Sequence, residues 1–196
     1  MDSDRRGFSA RPLLAIAFGA VLLSLPAACS QGGRAGLESP RHNRADAEFA
    51  QAMIPHHRQA ISMAEMADGR ASSVAVRRLA ERITEDQLPE IRRMQSWFSD
   101  WNEPLHRGHH MPGMDDMGGI EPGMLSGSDM AALRHAHGQS FDRLFLAVMI
   151  EHHKGAIAMA HRELRTGRFP PAKNMARGII NGQSEEIRVM RALLER

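Results

Sequence analysis

Hydrophobic positions recur with the period of an α-helix along two stretches of the chain, and the same pattern then comes a second time. Phe49, Met53, Ala60, Met63 and Ala67 step by three, four or seven residues, which places them on one helical face. Leu79, Ile83, Ile91, Met94 and Phe98 draw a second stripe. These stripes predict helices over about 46–67 and 72–99, with counterparts from about 129 or 139 to 165 and from 171 to 195. Asp46 is an acid where the first helix presents its positive end. Asp68-Gly69 and Thr166-Gly167 read as stops, and Pro170-Pro171 as a start. Pro55 and Pro89 fall inside the predicted helices and should bend them or mark late starts.

The second occurrence is an internal repeat. Met53-Ile54-Pro55-His56-His57 returns as Met149-Ile150-Glu151-His152-His153, at an offset of 96 residues that holds without a gap to the C-terminus. Seventeen of the 55 positions in 46–100 match their partners in 142–196. Ordinary residue usage would give only about three or four matches, so the chain carries a duplication. One amphipathic hairpin buries a single face, whereas two related by a pseudo-twofold axis close on each other. The predicted fold is therefore all-α, a four-helix bundle made of two tandem helical hairpins (repeat 1, 46–100; repeat 2, 129–196). Residues 101–128, rich in Gly and Pro and without periodicity, read as the loop between them.

Residues 1–29 read as an export signal. Arg5, Arg6 and Arg11 precede an apolar run from Leu13 to Leu25 that is short for a bilayer span, and small residues lead to Cys29, the one cysteine in the chain. The arrangement resembles a bacterial lipoprotein signal, with Cys29 as the lipidated residue, although Pro26 stands where an aliphatic residue is usual. Ordinary cleavage near Ala27 or Ala28 is the alternative. Arg5-Arg6-Gly7-Phe8 also resembles a twin-arginine signal. Residues 30–44 read as a flexible tether. The expected location is outside the cytoplasm, at the cell surface or in the periplasm, held to the membrane by the lipid.

Charge narrows the partners. The net charge is +2 and the basic residues are interleaved with acids, so no stripe could track a nucleic-acid backbone. Composition raises a different possibility. The 196 residues include 14 Met and 11 His, and both side chains ligate soft or borderline metals. Met alone is well explained as core filling. His is not, because burying it without a partner is costly. Met53, His56 and Met63 fall along one interior strip with small Ala60 between them, and Met149, His152 and Met159 repeat the strip. His57 and His153 turn about 100° away. Gln87 and Glu90, with Gln183 and Glu186, lie beside the stripe of the second helix and would orient the imidazoles or ligate directly. His161 is a further candidate beside Met159. In the connecting loop His106, His109, His110, Met111, Met114 and Met117 cluster where no core needs methionine. Imidazole with thioether favours Cu(I) or Ag(I), and added carboxylate admits Cu(II).

Catalytic patterns are missing from the sequence. A di-iron bundle needs paired Glu-x-x-His motifs facing inward, and the one such spacing, Glu103 to His106, is broken by Pro104. There is no His-Glu-x-x-His and no Gly-rich phosphate cradle. Three readings remain: an exported copper-binding protein without enzymatic activity, a structural or partner-binding bundle whose buried histidines set register, and a metal-dependent oxidoreductase.

The motif Phe49-x-x-x-Met53-Ile54-Pro55-His56-His57-x-x-Ala60-Ile61-x-Met63-Ala64, with its copy from Phe145 to Ala160, resembles the domain-of-unknown-function family 305 (DUF305) over about 45–196. The resemblance implies a ferritin-like four-helix bundle that is exported, often as a lipoprotein. Its CopM-like periplasmic members imply copper bound through Met and His. By position the implied ligands are Met53, His56, His57 and Met63, and Met149, His152, His153 and Met159. Glu151 in place of Pro55 makes the two copies differ in charge.

Overall fold

The computed structural model describes residues 41–105 and 121–196. The signal segment with Cys29, most of the tether, and His106, His109, His110, Met111, Met114 and Met117 lie outside the described residues. Within them the chain is helical and contains no β-strand. Its helices are α1 (Arg44–Glu65), α2 (Ala67–Arg70), α3 (Val74–Trp101), α4 (Gly127–His135), α5 (Gly138–Thr166) and α6 (Pro170–Leu194). Helices α1 and α3 form one hairpin and α5 and α6 the other, and the two pack chiefly through α1 against α5. This is the four-helix bundle that the two stripes predict. None of the described helices is long and apolar enough to cross a membrane.

Local chemistry sets the ends. Asn43 and Asp46 close a capping box at the start of α1. Gly69, at φ +120°, supplies the left-handed turn between the first two long helices. α6 begins at Pro170, and α5 ends at Thr166 with Gly167 as its cap. Pro55 and Pro89 mark no late starts: α1 and α3 run through them. The region read as one loop, 101–128, already turns helical at Gly127, where Ser126 and Asp129 form a second capping box.

The interior is split into two apolar cores. The first gathers Met63, Val76, Leu79 and Ile83 from one repeat with Phe141, Phe145, Met149 and Met190 from the other. The second gathers Phe49, Met53, Ile91 and Met94 with Ala156, Met159, Ala172 and Ile179. Moving 96 residues along the chain carries Met53 to Met149, Met63 to Met159 and Met94 to Met190, so each core is the pseudo-twofold image of the other. Every long helix leaves one core and enters the other, and the crossing points are polar: His56-His57, Gln87, His152-His153 and Gln183.

Asp46 and Asp142, a matched pair in the repeat, tie the hairpins together. One Asp46 oxygen accepts from the backbone N–H groups of Arg168 and Phe169, both at 2.9 Å, and the other from Asn43 N–H at 2.6 Å. Phe169 occupies the cap position of α6 and makes no side-chain cap bond; the acid of the opposite repeat holds the backbone that leads into that helix, with its charge near the helix's positive end. Asp142 does the same for the start of α3, accepting from the Ser72 hydroxyl and the Ser73 N–H.

Candidate functional site

The polar layer between the two cores sits on the pseudo-twofold axis. His56, His57, His152 and His153 are all buried, with at most 1% of their surface exposed. The His56 and His152 rings lie against each other, centroids 3.8 Å apart and 37° between planes. His57 Nε2 donates to Glu90 Oε2 at 2.7 Å, and His153 Nε2 donates to Glu186 Oε2 at the same distance. Each pair joins the two helices of one hairpin, as the register of the repeat requires. A carboxylate on one ring nitrogen fixes the tautomer and leaves the lone pair on the other.

The remaining nitrogens have few partners. His56 Nε2 donates to the backbone carbonyl of Pro122 at 3.0 Å. Neither nitrogen of His152 meets a partner in good hydrogen-bond geometry, although the backbone of His56 lies close to the ring, and the Nδ1 atoms of His56, His57 and His153 are also bare. Both amide atoms of Gln87 and the Oε1 of Gln183 are buried and unpartnered too. Buried polar groups normally find partners, so this concentration at one level of the bundle marks where a bound species would be stabilised.

Burial governs the protonation of the central pair. It pushes the His56 imidazole down to about 3, despite the Pro122 carbonyl and with help from the charges of His57 and His153. Burial first, then His56, His153 and His57, also holds His152 well below its ordinary value, despite the nearby backbone of His56. Both rings are therefore neutral at physiological pH, the state in which imidazole offers a lone pair to a metal.

The methionines are placed differently from the histidines. Met53 and Met159 lie in the second core, and Met63 and Met149 in the first, so thioethers from both repeats flank the imidazole layer on either side. Among the described residues no three His, Cys, Asp or Glu side chains converge as a ready-made cage. What the site offers is bare imidazole nitrogen. His161 is on the exposed surface of α5, away from this interior.

Three functional features were not visible in the sequence reading. The first is the Pro122 carbonyl on His56. The second is the use of Asp46 and Asp142 as ties between hairpins; their identity in both repeats was a usable signal. The third is Glu163, which replaces the Ala67 of repeat 1. Glu163 is 1% exposed and lies beside Asp46, whose carboxylate favours the protonated form of Glu163 by accepting from it and by its charge. Burial first, and then the neighbouring Asp46, push its carboxyl up to about 8. The folded state thus binds this proton more tightly than the unfolded chain. The associated stability is complete below about pH 4.5 and is lost as pH rises through about 8. Glu163→Gln is expected to flatten this alkaline decline in urea midpoint between pH 6 and 9. An unchanged slope would mean that the carboxyl is ionised in the fold.

The comparisons with known proteins agree with this architecture. The family model for a domain of unknown function, DUF305, matches residues 46–194. A DUF305 protein from Streptomyces coelicolor is 34% identical, with a TM-score of 0.70 over 77% of this chain and 92% of that one. A DUF305 fragment from Deinococcus radiodurans is 31% identical, also at 0.70, over 80% of this chain and 99% of that one. CopM in its Cu(II)-bound form is 34% identical, with a TM-score of 0.63 over 76% of this chain and 95% of that one. No functionally curated protein matches the sequence. A family match across both hairpins, joined to solved relatives above 30% identity that share the bundle, places this chain in the DUF305 family.

Proposed function

We propose that the protein binds copper as cargo outside the cytoplasm, and that its role is sequestration rather than catalysis. The observation that carries this reading is the central layer: four imidazoles buried together, two of them held neutral by burial, one with neither nitrogen in a well-formed hydrogen bond. Imidazole is a good ligand for copper in either oxidation state, and the methionines of the adjoining cores add the soft sulfur that favours Cu(I) and Ag(I). Support also comes from CopM, which shares the fold and has been solved with Cu(II), Cu(I) and Ag bound.

In this reading His56, His57, His152 and His153 are the central donors. Met53, Met63, Met149 and Met159 are the neighbouring thioethers, and Glu90 and Glu186 orient two of the rings. The segment with His106, His109, His110, Met111, Met114 and Met117 serves as a capture arm. Export is supported by the signal-like N-terminus and by the Streptomyces coelicolor relative, described as a candidate secreted protein. Lipidation at Cys29 would hold the bundle at a membrane surface.

Thermal melting with Ag(I), a redox-inert stand-in for Cu(I), tests the proposal. At 100 times the Kd a ligand specific to the folded state adds about 2.7 kcal/mol, which for a domain of this size raises Tm by roughly 5–10 °C. The shift should persist when residues 106–120 are deleted. Its complete loss on deletion would move the site from the bundle to the arm.

One observation favours a second reading. The His57–Glu90 and His153–Glu186 pairs are satisfied hydrogen bonds that would fix helix register without any metal. That reading predicts no Ag(I) shift at all.

A further inference from the structure

The histidine layer can be approached from two sides of the bundle, between α1 and α5 or between α3 and α6. The first side is shut by backbone. The segment Glu121–Leu125 lies across it, and the Pro122 carbonyl accepts from His56 Nε2 at 3.0 Å. Gln59 grips Leu125 at two points, its amide donating to the Leu125 carbonyl at 3.0 Å and its carbonyl accepting from the Leu125 N–H at 2.8 Å. Gly155, the repeat equivalent of Gln59, is the clearance, since a Cβ there would collide with the Pro122 carbonyl.

The second side is shut only by side chains. Gln87 and Gln183 are 2% and 4% exposed, and both amide atoms of Gln87 and the Oε1 of Gln183 lack partners. One turn further along the same helices, Glu90 and Glu186 are partly exposed and reach inward to the Nε2 atoms of His57 and His153. The Oε1 of Glu186 is buried and unpartnered. Asp86 stands one turn before Glu90 on α3. Burial first, then Glu186, Glu90 and Glu85, push its carboxyl above the usual range, with Arg82 opposing, so acids of both helices share one mouth. On α6 the row that leads to Glu186 is Gly178 and Gly182, spaced by four residues, and nothing lies within 4 Å of where a Cβ would stand on either glycine. Gly182 is the repeat equivalent of Asp86. The seam therefore has carboxylates along one wall and an empty furrow along the other. Among the described residues these acids do not converge as a cage, which suits a passage rather than a resting place.

We infer that soft cations reach the histidine layer through this α3–α6 seam, drawn in by Asp86, Glu90 and Glu186 and handed on by the Gln87 and Gln183 amide oxygens. This rests on the metal-binding reading above and names the route to that site. A route is needed because all four imidazoles are at most 1% exposed. Rotating two glutamine side chains is a faster motion than lifting a hydrogen-bonded backbone segment. A cleft lined by one sign of charge concentrates the opposite ion at its mouth. The chain as a whole has a net charge of +2, so the attraction belongs to this cleft and not to the protein. Inside the mouth an amide oxygen can replace water shed by the ion, and neutral imidazole, the better ligand for a soft ion, takes it from there.

Stopped-flow transfer of Ag(I) to the full chain from a weak chromogenic chelator, and from the loaded chain to a strong one, reads the route. Asp86→Lys is expected to slow uptake about fivefold at low ionic strength, and by less than about twofold once salt screens the mouth. Gly182→Phe, which fills the furrow, should slow uptake and release alike by about tenfold and leave the affinity unchanged. Gly182→Ala should do neither. Parental rates in both seam variants, in a chain whose Ag(I) binding depends on His56 and His152, would overturn the entrance and leave the metal site standing. Faster uptake on Gln59→Ala, with no response to Asp86→Lys or Gly182→Phe, would overturn it by moving the entrance to the α1–α5 side. Ag(I) binding indifferent to both histidines would overturn the entrance and the metal reading together.

Discussion

Replacing His152 by leucine is expected to make the metal-free protein more stable, by about 1–2 kcal/mol, while weakening Ag(I) binding at least about a hundredfold. His152 is 1% exposed and neither of its ring nitrogens meets a partner in good hydrogen-bond geometry. Leaving a buried polar group unsatisfied costs about 1–3 kcal/mol. A leucine of similar reach removes that cost and joins the two cores where they now part. The loss of affinity follows because removing a group that merely hydrogen-bonds to a ligand already costs about 10- to 100-fold in metal sites, and His152 would be a ligand. Acid sensitivity should fall as well. A histidine held neutral by the fold contributes stability that is complete above about pH 6.5 and is lost as pH drops toward the folded value, about 3 for His56. Urea titration of the metal-free chain at pH 7 and 5, with an Ag(I) competition titration, measures both halves. A variant that loses stability and keeps its Ag(I) affinity would show His152 to be a packing residue.

Asp46→Ala should cost about 3–5 kcal/mol, a large share of the 5–15 kcal/mol that holds a domain together. The carboxylate takes three backbone N–H groups, from Asn43, Arg168 and Phe169. Its loss leaves the Phe169 N–H buried with no acceptor and frees the backbone that leads into α6. It also unties α1 from α6 at one end of the bundle. Asp46→Asn, which keeps an acceptor oxygen, should lose less than half as much. The midpoint of urea unfolding gives the comparison. If the alanine variant falls by less than about 1 kcal/mol, water is replacing the carboxylate and the tie is not what holds the hairpins in register.

The helices and their pairing were legible because periodicity and duplication are properties of the sequence alone. Phe49, Met53 and Met63 report a helical face wherever they are found, and a 96-residue echo requires two similar hairpins. His56, His57, His152 and His153 stood out because a conspicuous polar pair at an apolar stripe needs a reason. Glu90 and Glu186 were legible as groups that orient the imidazoles, although they sit 33 residues from their histidines, because the stripe of the second helix places them beside the site in both repeats. Other tertiary partners were less legible. Asp46 reads as a local helix-start acid, and its reach to Phe169 spans 123 positions. Pro122 lay in what looked like featureless loop, because a backbone carbonyl leaves no trace in side-chain patterns. Aligned on each other, Gln59 against Gly155 and Ala67 against Glu163 did carry a signal: positions where two otherwise similar halves had reason to part.

Each hairpin donates half of the first core and half of the second, so a single hairpin has no complete interior of its own. An ancestral hairpin would have needed a second copy of itself, and in such a homodimer both sides of the axis must be identical. Fusing the two copies into one chain lifted that constraint. Only then could one side evolve a grip and the other a clearance, one an alanine and the other an acid. The imbalance at the centre of this protein is a freedom that a symmetric ancestor did not have.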